Sequence, residues 1–256
     1  MSILFKYLYR VYQLCVAVPL ALVATILTAL VTTVGCTLGN GHFWGYYPGR
    51  WWSRIVVSLF LIPVKVEGRE NMEPGQSYVF VANHQGAFDI FLVYGYLGRN
   101  FKWMMKRGIM KIPFVGFACK AAHHIFVDRR SPAKMKETYE GARRTLQSGM
   151  SVVVFPEGSR SFTGHMGVFK KGAFTLADEL QLPVVPLTIN GSFDIMPRTR
   201  DWHWVSWHPL TLTIHQPIYP VDKGPRNVQA IMHQSYDSVM SSLEPRYQGF
   251  VENPNQ

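Results

Sequence analysis

Between Val11 and Pro48 the chain carries no Lys, Arg, Asp or Glu, and His42 is the only side chain there able to become cationic. The densest part, Leu14 to Leu38, reads LCVAVPLALVATILTALVTTVGCTL. As a helix that run would measure roughly 37 Å, beyond the ~30 Å hydrocarbon core of a bilayer. It predicts a helix that spans a membrane or embeds deeply in one. Lys6 and Arg10 precede it, which keeps the N-terminus cytoplasmic under the positive-inside rule. A cleaved secretory signal fits poorly, because this apolar core exceeds the usual ~7–15 residues and Val34-Gly35-Cys36 only faintly resembles a lipoprotein site. A second apolar stretch, Ile55 to Ile62, follows Trp51-Trp52 and Arg54. It is too short to span, but Trp and Arg beside an apolar stripe suit the headgroup region. A helical hairpin dipped into one leaflet therefore stands beside a single span, and Arg50, Arg54 and Lys65 leave the charge rule nearly balanced between them.

Composition narrows the partners. With 48% hydrophobic and 16% charged residues over 256 positions, the chain is too apolar for disorder and large enough for one domain plus an appendage. Its formal charge of +10 points to an anionic membrane surface or phosphorylated ligands. Nucleic acid is the other usual partner of such a charge, but no nucleic-acid-binding motif is present, and none is expected to bind. Cys15, Cys36 and Cys119 form no C-x-x-C pair, and His123, His124, His203, His208 and His215 show no metal-ligand spacing. These histidines read as ordinary loop and strand residues.

After Pro63 short β-rich runs alternate with helical ones. Ser77–Ala82, Phe101–Met105, Ile125–Val127, Ser151–Phe155, Val184–Ile189 and Leu210–Ile214 read as strands. Helices are expected near Asp89–Leu97, from Ser131-Pro132 to Gly149, over Lys171–Leu180 and over Val228–Leu243. The alternation predicts an α/β fold: a largely parallel sheet flanked by helices, with the N-terminal membrane helix or helical hairpin attached. Residues 1–64 are expected to anchor, 65–247 to form the chemical domain, and 248–256 to be a tail.

Two stretches directly after strands carry chemistry. In Asn83-His84-Gln85-Gly86-Ala87-Phe88-Asp89, the Asp stands five positions after the His, about 500° of helical turn, so one continuous helix cannot bring them together. A strand-end loop can fold the imidazole back onto a carboxylate at the helix start, which fixes the tautomer and frees the other nitrogen as a base. Alone, such a pair is more often structural. In Phe155-Pro156-Glu157-Gly158-Ser159-Arg160-Ser161, Gly158 permits close backbone approach and Arg160 suits bidentate phosphate binding. Alone, this is equally a charged turn.

With Phe126-Val127-Asp128-Arg129 and Leu182-Pro183-Val184-Val185-Pro186 added in order, the chain resembles the glycerolipid acyltransferase family from roughly Val66 to Pro220. Asn83-His84-Gln85 and Phe155-Pro156-Glu157-Gly158 are most similar to its 1-acyl-glycerol-3-phosphate acyltransferases. The glycerol-3-phosphate branch typically has Arg where Gln85 stands, and the family's frequent Lys-x-Glu-Leu is Lys106-Arg107-Gly108-Ile109 here. The resemblance implies transfer of an acyl group from acyl-CoA or acyl-carrier protein to lysophosphatidic acid or another lyso-lipid. It implies His84 as general base and Asp89 as its orienting partner, with Arg129, Arg160 and Lys106 on the acceptor phosphate and Glu157 and Gly158 shaping the acceptor pocket. No metal or organic cofactor is implied, and the expected location is the cytoplasmic (inner) membrane with the catalytic domain on the cytoplasmic face. No G-x-S-x-G elbow is present and no cysteine is placed as a nucleophile, so direct attack rather than an acyl-enzyme is expected. Trp202, Trp204 and Trp207 are read equally as an acyl groove or lipid anchor and as ordinary packing.

Overall fold

The structure, a computed structural model, describes residues 3–128, 130–147, 149–200 and 203–250. The apolar N-terminus forms one rod: α1 (Ile3–Tyr12), a single π-helical turn (Gln13–Ala17) and α2 (Val18–Leu38). The wide turn lies where Pro19 has no N–H to offer the Cys15 carbonyl, which loosens the hydrogen-bond ladder locally. Among the described residues this rod is the one helix long and apolar enough to cross a membrane. Asn40 then caps the short α3 (Gly41–Trp44) by accepting the amides of His42 and Phe43, and α4 (Tyr47–Leu59) opens with Pro48 in its first turn.

α2 and α4 pack together as a helical hairpin. The stretch Ile55–Ile62, expected among headgroups, is mostly core: Val56, Val57, Phe60 and Ile62 are buried, and only Ile55 and Leu61 stay exposed as large apolar side chains. Polar side chains fasten the rod to what lies beneath. Tyr9 and Tyr12 hydroxyls donate to the Phe60 and Leu59 carbonyls (2.6 and 2.9 Å), and Gln13 Nε2 donates to the Val205 carbonyl at 2.8 Å. Trp52 Nε1 donates to Thr25 Oγ1 at 2.9 Å.

The remainder is a seven-stranded sheet: β1 (Val64–Glu67), β2 (Val79–Ala82), β3 (Phe101–Lys106), β4 (Ile125–Val127), β5 (Ser151–Val154), β6 (Val184–Asn190) and β7 (Leu210–Ile214). Its order is β1-β7-β6-β2-β5-β3-β4, parallel throughout except for β6 against β7, as the alternating pattern predicts. β2, β5 and β6 are covered on both faces, which is why each reads as an unbroken apolar run. α4 and α5 (Phe88–Tyr96) cover one face; α7 (Pro132–Gln147), α8 (Gly172–Leu180) and α10 (Pro225–Ser241) cover the other. α6 (Val115–Ala121) packs against α2, and α9 (Ser192–Ile195) is a single turn after β6. The sequence pattern missed β1 and α6. The closing helix begins three residues before the expected Val228.

Close packing of α4 on α5 depends on Gly49, where an added Cβ would fall 1.9 Å from Tyr94 Cε1. Gly49→Ala is expected to lower the thermal unfolding temperature, because Tyr94 is buried and its ring cannot swing clear. Gly141→Ala, in α7 with nothing within 4 Å, is expected to stabilise by ~0.5–1 kcal/mol. Paired melting curves in detergent check both, and a destabilised Gly141→Ala beside an unaffected Gly49→Ala would refute this packing.

Candidate active site

β2 and β5 are adjacent and parallel, with Val81 opposite Val154. Three residues beyond these partners stand His84 and Glu157, so register alone brings the two loops to one height. The chain leaves β2 toward α5 on one face and leaves β5 toward α8 on the other. Connections that part in this way open a crevice at the carboxyl ends of the strands, the usual ligand site of an open α/β sheet.

His84 Nδ1 lies 2.7 Å from Asp89 Oδ2, which also accepts the amides of Gln85 and Gly86 at 2.8 and 3.0 Å. Asp89 is wholly buried in the first turn of α5. A carboxylate can only accept, so Nδ1 carries the proton and Nε2 keeps its lone pair. The imidazole stacks on Phe155 (4.0 Å between centroids, 10° between planes), and Phe155 stacks on Trp103 at 5.6 Å. Before it, Asn83 exchanges two hydrogen bonds with the backbone of Ile189 in β6 (2.9 and 2.8 Å), holding the loop to the sheet.

Glu157 is the brace. Its Oε1 accepts the His84 amide at 2.7 Å and its Oε2 the Gly167 amide at 2.9 Å, while the Ser161 amide donates back to the His84 carbonyl at 3.2 Å. Burial pushes the Glu157 carboxyl up to about 8, opposed by its two amide donors.

His84 lines a cavity of about 1150 Å³. The cavity reaches the rod, with Thr25, Thr28, Ala29 and Thr32 of α2 in its wall, and apolar side chains such as Ile90, Phe91 and Trp103 line it as well. Four Lys and Arg side chains also line it: Lys106 at the end of β3, Arg160, Lys170 and Arg198. Arg198 is held across the Phe162 ring at 4.2 Å and donates to the Arg160 carbonyl at 2.9 Å. Among the described residues no group of His, Cys, Asp and Glu could hold a metal ion.

The family model described as Acyltransferase matches residues 63–190, which contain the dyad, the brace and most of the cavity. The chain belongs to the acyltransferase family. A chloroplastic 1-acyl-sn-glycerol-3-phosphate acyltransferase of Brassica napus is 34% identical over 68% of this chain and 50% of its own length. The 1-acyl-sn-glycerol-3-phosphate acyltransferase of Saccharomyces cerevisiae is 31% identical over 75% of this chain and 64% of its own. The chain thus spans about half to two thirds of the length of these relatives. A crystal structure of the 1-acyl-sn-glycerophosphate acyltransferase PlsC from Thermotoga maritima shares the fold, with a TM-score of 0.61 at 22% identity, covering 86% of this chain and 97% of that one.

Within this acyltransferase-family chain, His84, Asp89, Lys106, Gly158 and Arg160 come together around one cavity. Arg129 lies outside the described residues, as does Trp202. Glu157 departs from the pocket-shaping role expected of it: both its oxygens are occupied by backbone amides, and it stands behind the cavity lining. Trp204 and Trp207 are not in the cavity wall; Trp207 is exposed and donates to the Leu61 carbonyl. Lys170 and Arg198 escaped the sequence reading, because neither lies in a block with a pattern and each reaches the cavity only through the fold.

The raised Glu157 pKa has a consequence for stability. An unfolded glutamate titrates near 4.5, so the folded state holds this proton more tightly. The group's contribution is full below about 4.5 and is lost as pH rises through about 8. Glu157→Gln removes that pH dependence, and its NH2 group offers one of the two amides no lone pair, a loss of ~1–3 kcal/mol. Thermal unfolding across pH 4.5 to 8 tests this; a variant with the parent's slope and stability would remove Glu157 from the brace.

Proposed function

We propose that this chain transfers a fatty acyl group from a thioester donor to the sn-2 hydroxyl of 1-acyl-glycerol-3-phosphate, giving phosphatidic acid. The observation that carries the reading is the company of the dyad: His84 lines one cavity together with the cations Lys106, Arg160, Lys170 and Arg198 and with an apolar wall that includes Ile90, Phe91 and Trp103. A lysophosphatidate offers a match to both, with a phosphate at one end and an alkyl chain at the other. The names of the relatives from Brassica napus and Saccharomyces cerevisiae support the same acceptor.

His84 Nε2 takes the proton of the acceptor hydroxyl as its oxygen attacks the thioester carbonyl. Asp89 holds the tautomer and stabilises the imidazolium. Collapse of the tetrahedral adduct forms the ester and expels the thiolate, which recovers the proton from His84. Arg160, Lys106 and the two added cations, Lys170 and Arg198, hold the phosphate.

The chain acts at a membrane surface. The rod Ile3–Leu38 measures roughly 54 Å at 1.5 Å per residue, well beyond a ~30 Å hydrocarbon core. It is bonded to α4 and the residue after it at Tyr9, Tyr12 and Thr25, and directly to the domain at Gln13, through Val205; α4 in turn packs on α5. A rod fastened along one side of the domain lies with that domain in one leaflet instead of crossing the bilayer. Its outward residues, among them Leu22, Val23, Ile26, Leu27, Leu30 and Val34, would then face lipid. Of the two arrangements open in the sequence, this geometry supports the hairpin.

His84→Ala is expected to lower kcat by ~10²–10⁴ with the protein still folded and membrane-bound. Asp89→Asn is expected to act chiefly on kcat. Arg160→Ala is expected to raise KM for lysophosphatidate, by an amount equivalent to ~2–5 kcal/mol, and to spare the donor. Initial rates with a panel of lyso-lipid acceptors check all three. Near-normal turnover in His84→Ala would overturn the mechanism, and preference for an acceptor lacking a phosphomonoester would overturn the substrate.

A further inference from the structure

The outer edge of the sheet holds a second concavity that this chemistry leaves unused. β4 is the last strand on its side, and between α6 and α7 runs a groove of about 790 Å³ whose lining includes β4 residues Ile125 and Phe126. Five cations line it: Lys102, Arg107, Lys120, Lys134 and Arg144. Two of them are neutralised, Arg107 by Asp128 and Lys134 by Glu137. Among the described residues no carboxylate forms an ion pair with Lys102, Lys120 or Arg144.

Lys120 and Arg144 stand in the last turns of α6 and α7, where a cation offsets the helix dipole and needs no further reason. Lys102 has no such explanation. It is only 5% exposed, and burial lowers its pKa. A buried ammonium without a carboxylate is costly unless something anionic arrives to meet it. Its neighbour His124 cannot compete for that anion, since burial and Lys102 push it down to about 3 and leave it neutral.

The groove also adjoins the catalytic cavity. His124 and Thr138 line both, and Val127 pairs with Lys106 in register, so the Asp128 end of the groove lies level with Lys106. A volume of this size is that of a small-molecule site, roughly 300–1,000 Å³, and a concavity receives a nucleotide better than it receives the surface of a carrier protein.

We propose that this groove binds the phosphorylated nucleotide end of an acyl-coenzyme A donor, whose thioester arm then crosses Thr138 to reach His84. The proposal rests on the thioester-dependent transfer above and adds to it where the donor's charge is held. It can be tested apart from turnover. The full-length protein in nanodiscs is titrated calorimetrically with adenosine 3′,5′-bisphosphate, and the same compound is used as an inhibitor of acyl transfer. Binding that weakens with salt, and inhibition competitive with acyl-CoA but not with lysophosphatidate, are expected. In the double variant Lys120→Glu/Arg144→Glu, both sites being exposed, bisphosphate binding is expected to vanish and KM for acyl-CoA to rise at least tenfold, with kcat and KM for lysophosphatidate unchanged. Undiminished bisphosphate binding or an unchanged donor KM in that variant would overturn the groove. So would turnover with acyl-carrier protein alone by a protein that does not bind the bisphosphate. Bisphosphate binding lost in the variant, in a protein that transfers no acyl group from any donor, would uphold the groove and fail the transfer reading instead.

Discussion

One carboxyl group holds the two halves of the site together. The loops after β2 and β5 belong to connections that run to opposite faces of the sheet, and besides Glu157 two direct bonds join them, Ser161 to the His84 carbonyl and Gln85 to the Gly164 carbonyl. Glu157 spans the gap by taking an amide from each side, His84 and Gly167. Register puts it at the right height, and burial removes water as a rival for those amides. The dyad depends on this brace, since the backbone that carries the imidazole is what Glu157 fixes. Asp89 adds the second constraint: one oxygen serves the His84 ring and two amides, so loop and side chain are oriented by the same atom.

The central strands were legible in the sequence because burial on both faces leaves runs such as Val79–Ala82 and Ser151–Val154 almost without polar residues. β1 was not, because in Val-Lys-Val-Glu only alternate residues face the core and Lys65 and Glu67 pair in solvent. α6 has too few turns to show a period. The dyad could be read because its spacing forbids one helix and demands a loop, and the structure supplies that loop. The role of Glu157 could not be read. A buried acid that accepts amides and a pocket-lining acid have the same letter, and only register separates them. Lys170 and Arg198 belong to the same class of residue, placed by tertiary structure and silent in local pattern.

The long apolar rod was the plainest feature of the sequence. Length and composition left a spanning helix and a hairpin both open. Tyr9, Tyr12, Gln13 and Thr25 are polar groups at intervals along one side, and each has found a partner, three of them in or just after α4 and Gln13 in the domain. Gln13 is the most telling, a long amide wholly buried at the π-helical turn with its donor used on Val205.

That turn also settles the rod's phase. Inward residues Gln13, Ala17, Ala21, Thr25 and Ala29 recur at steps of four, and at ~100° per residue an ideal helix would carry such a row steadily away from the surface it began on. One wider turn absorbs part of that drift, so a single stripe can stay seated over the rod's length. The opposite, exposed apolar stripe is kept straight by the same correction. Because Thr25, Thr28, Ala29 and Thr32 are at once the seat of the rod and a wall of the chamber, the roll of the helix and the width of the chamber form one coordinate.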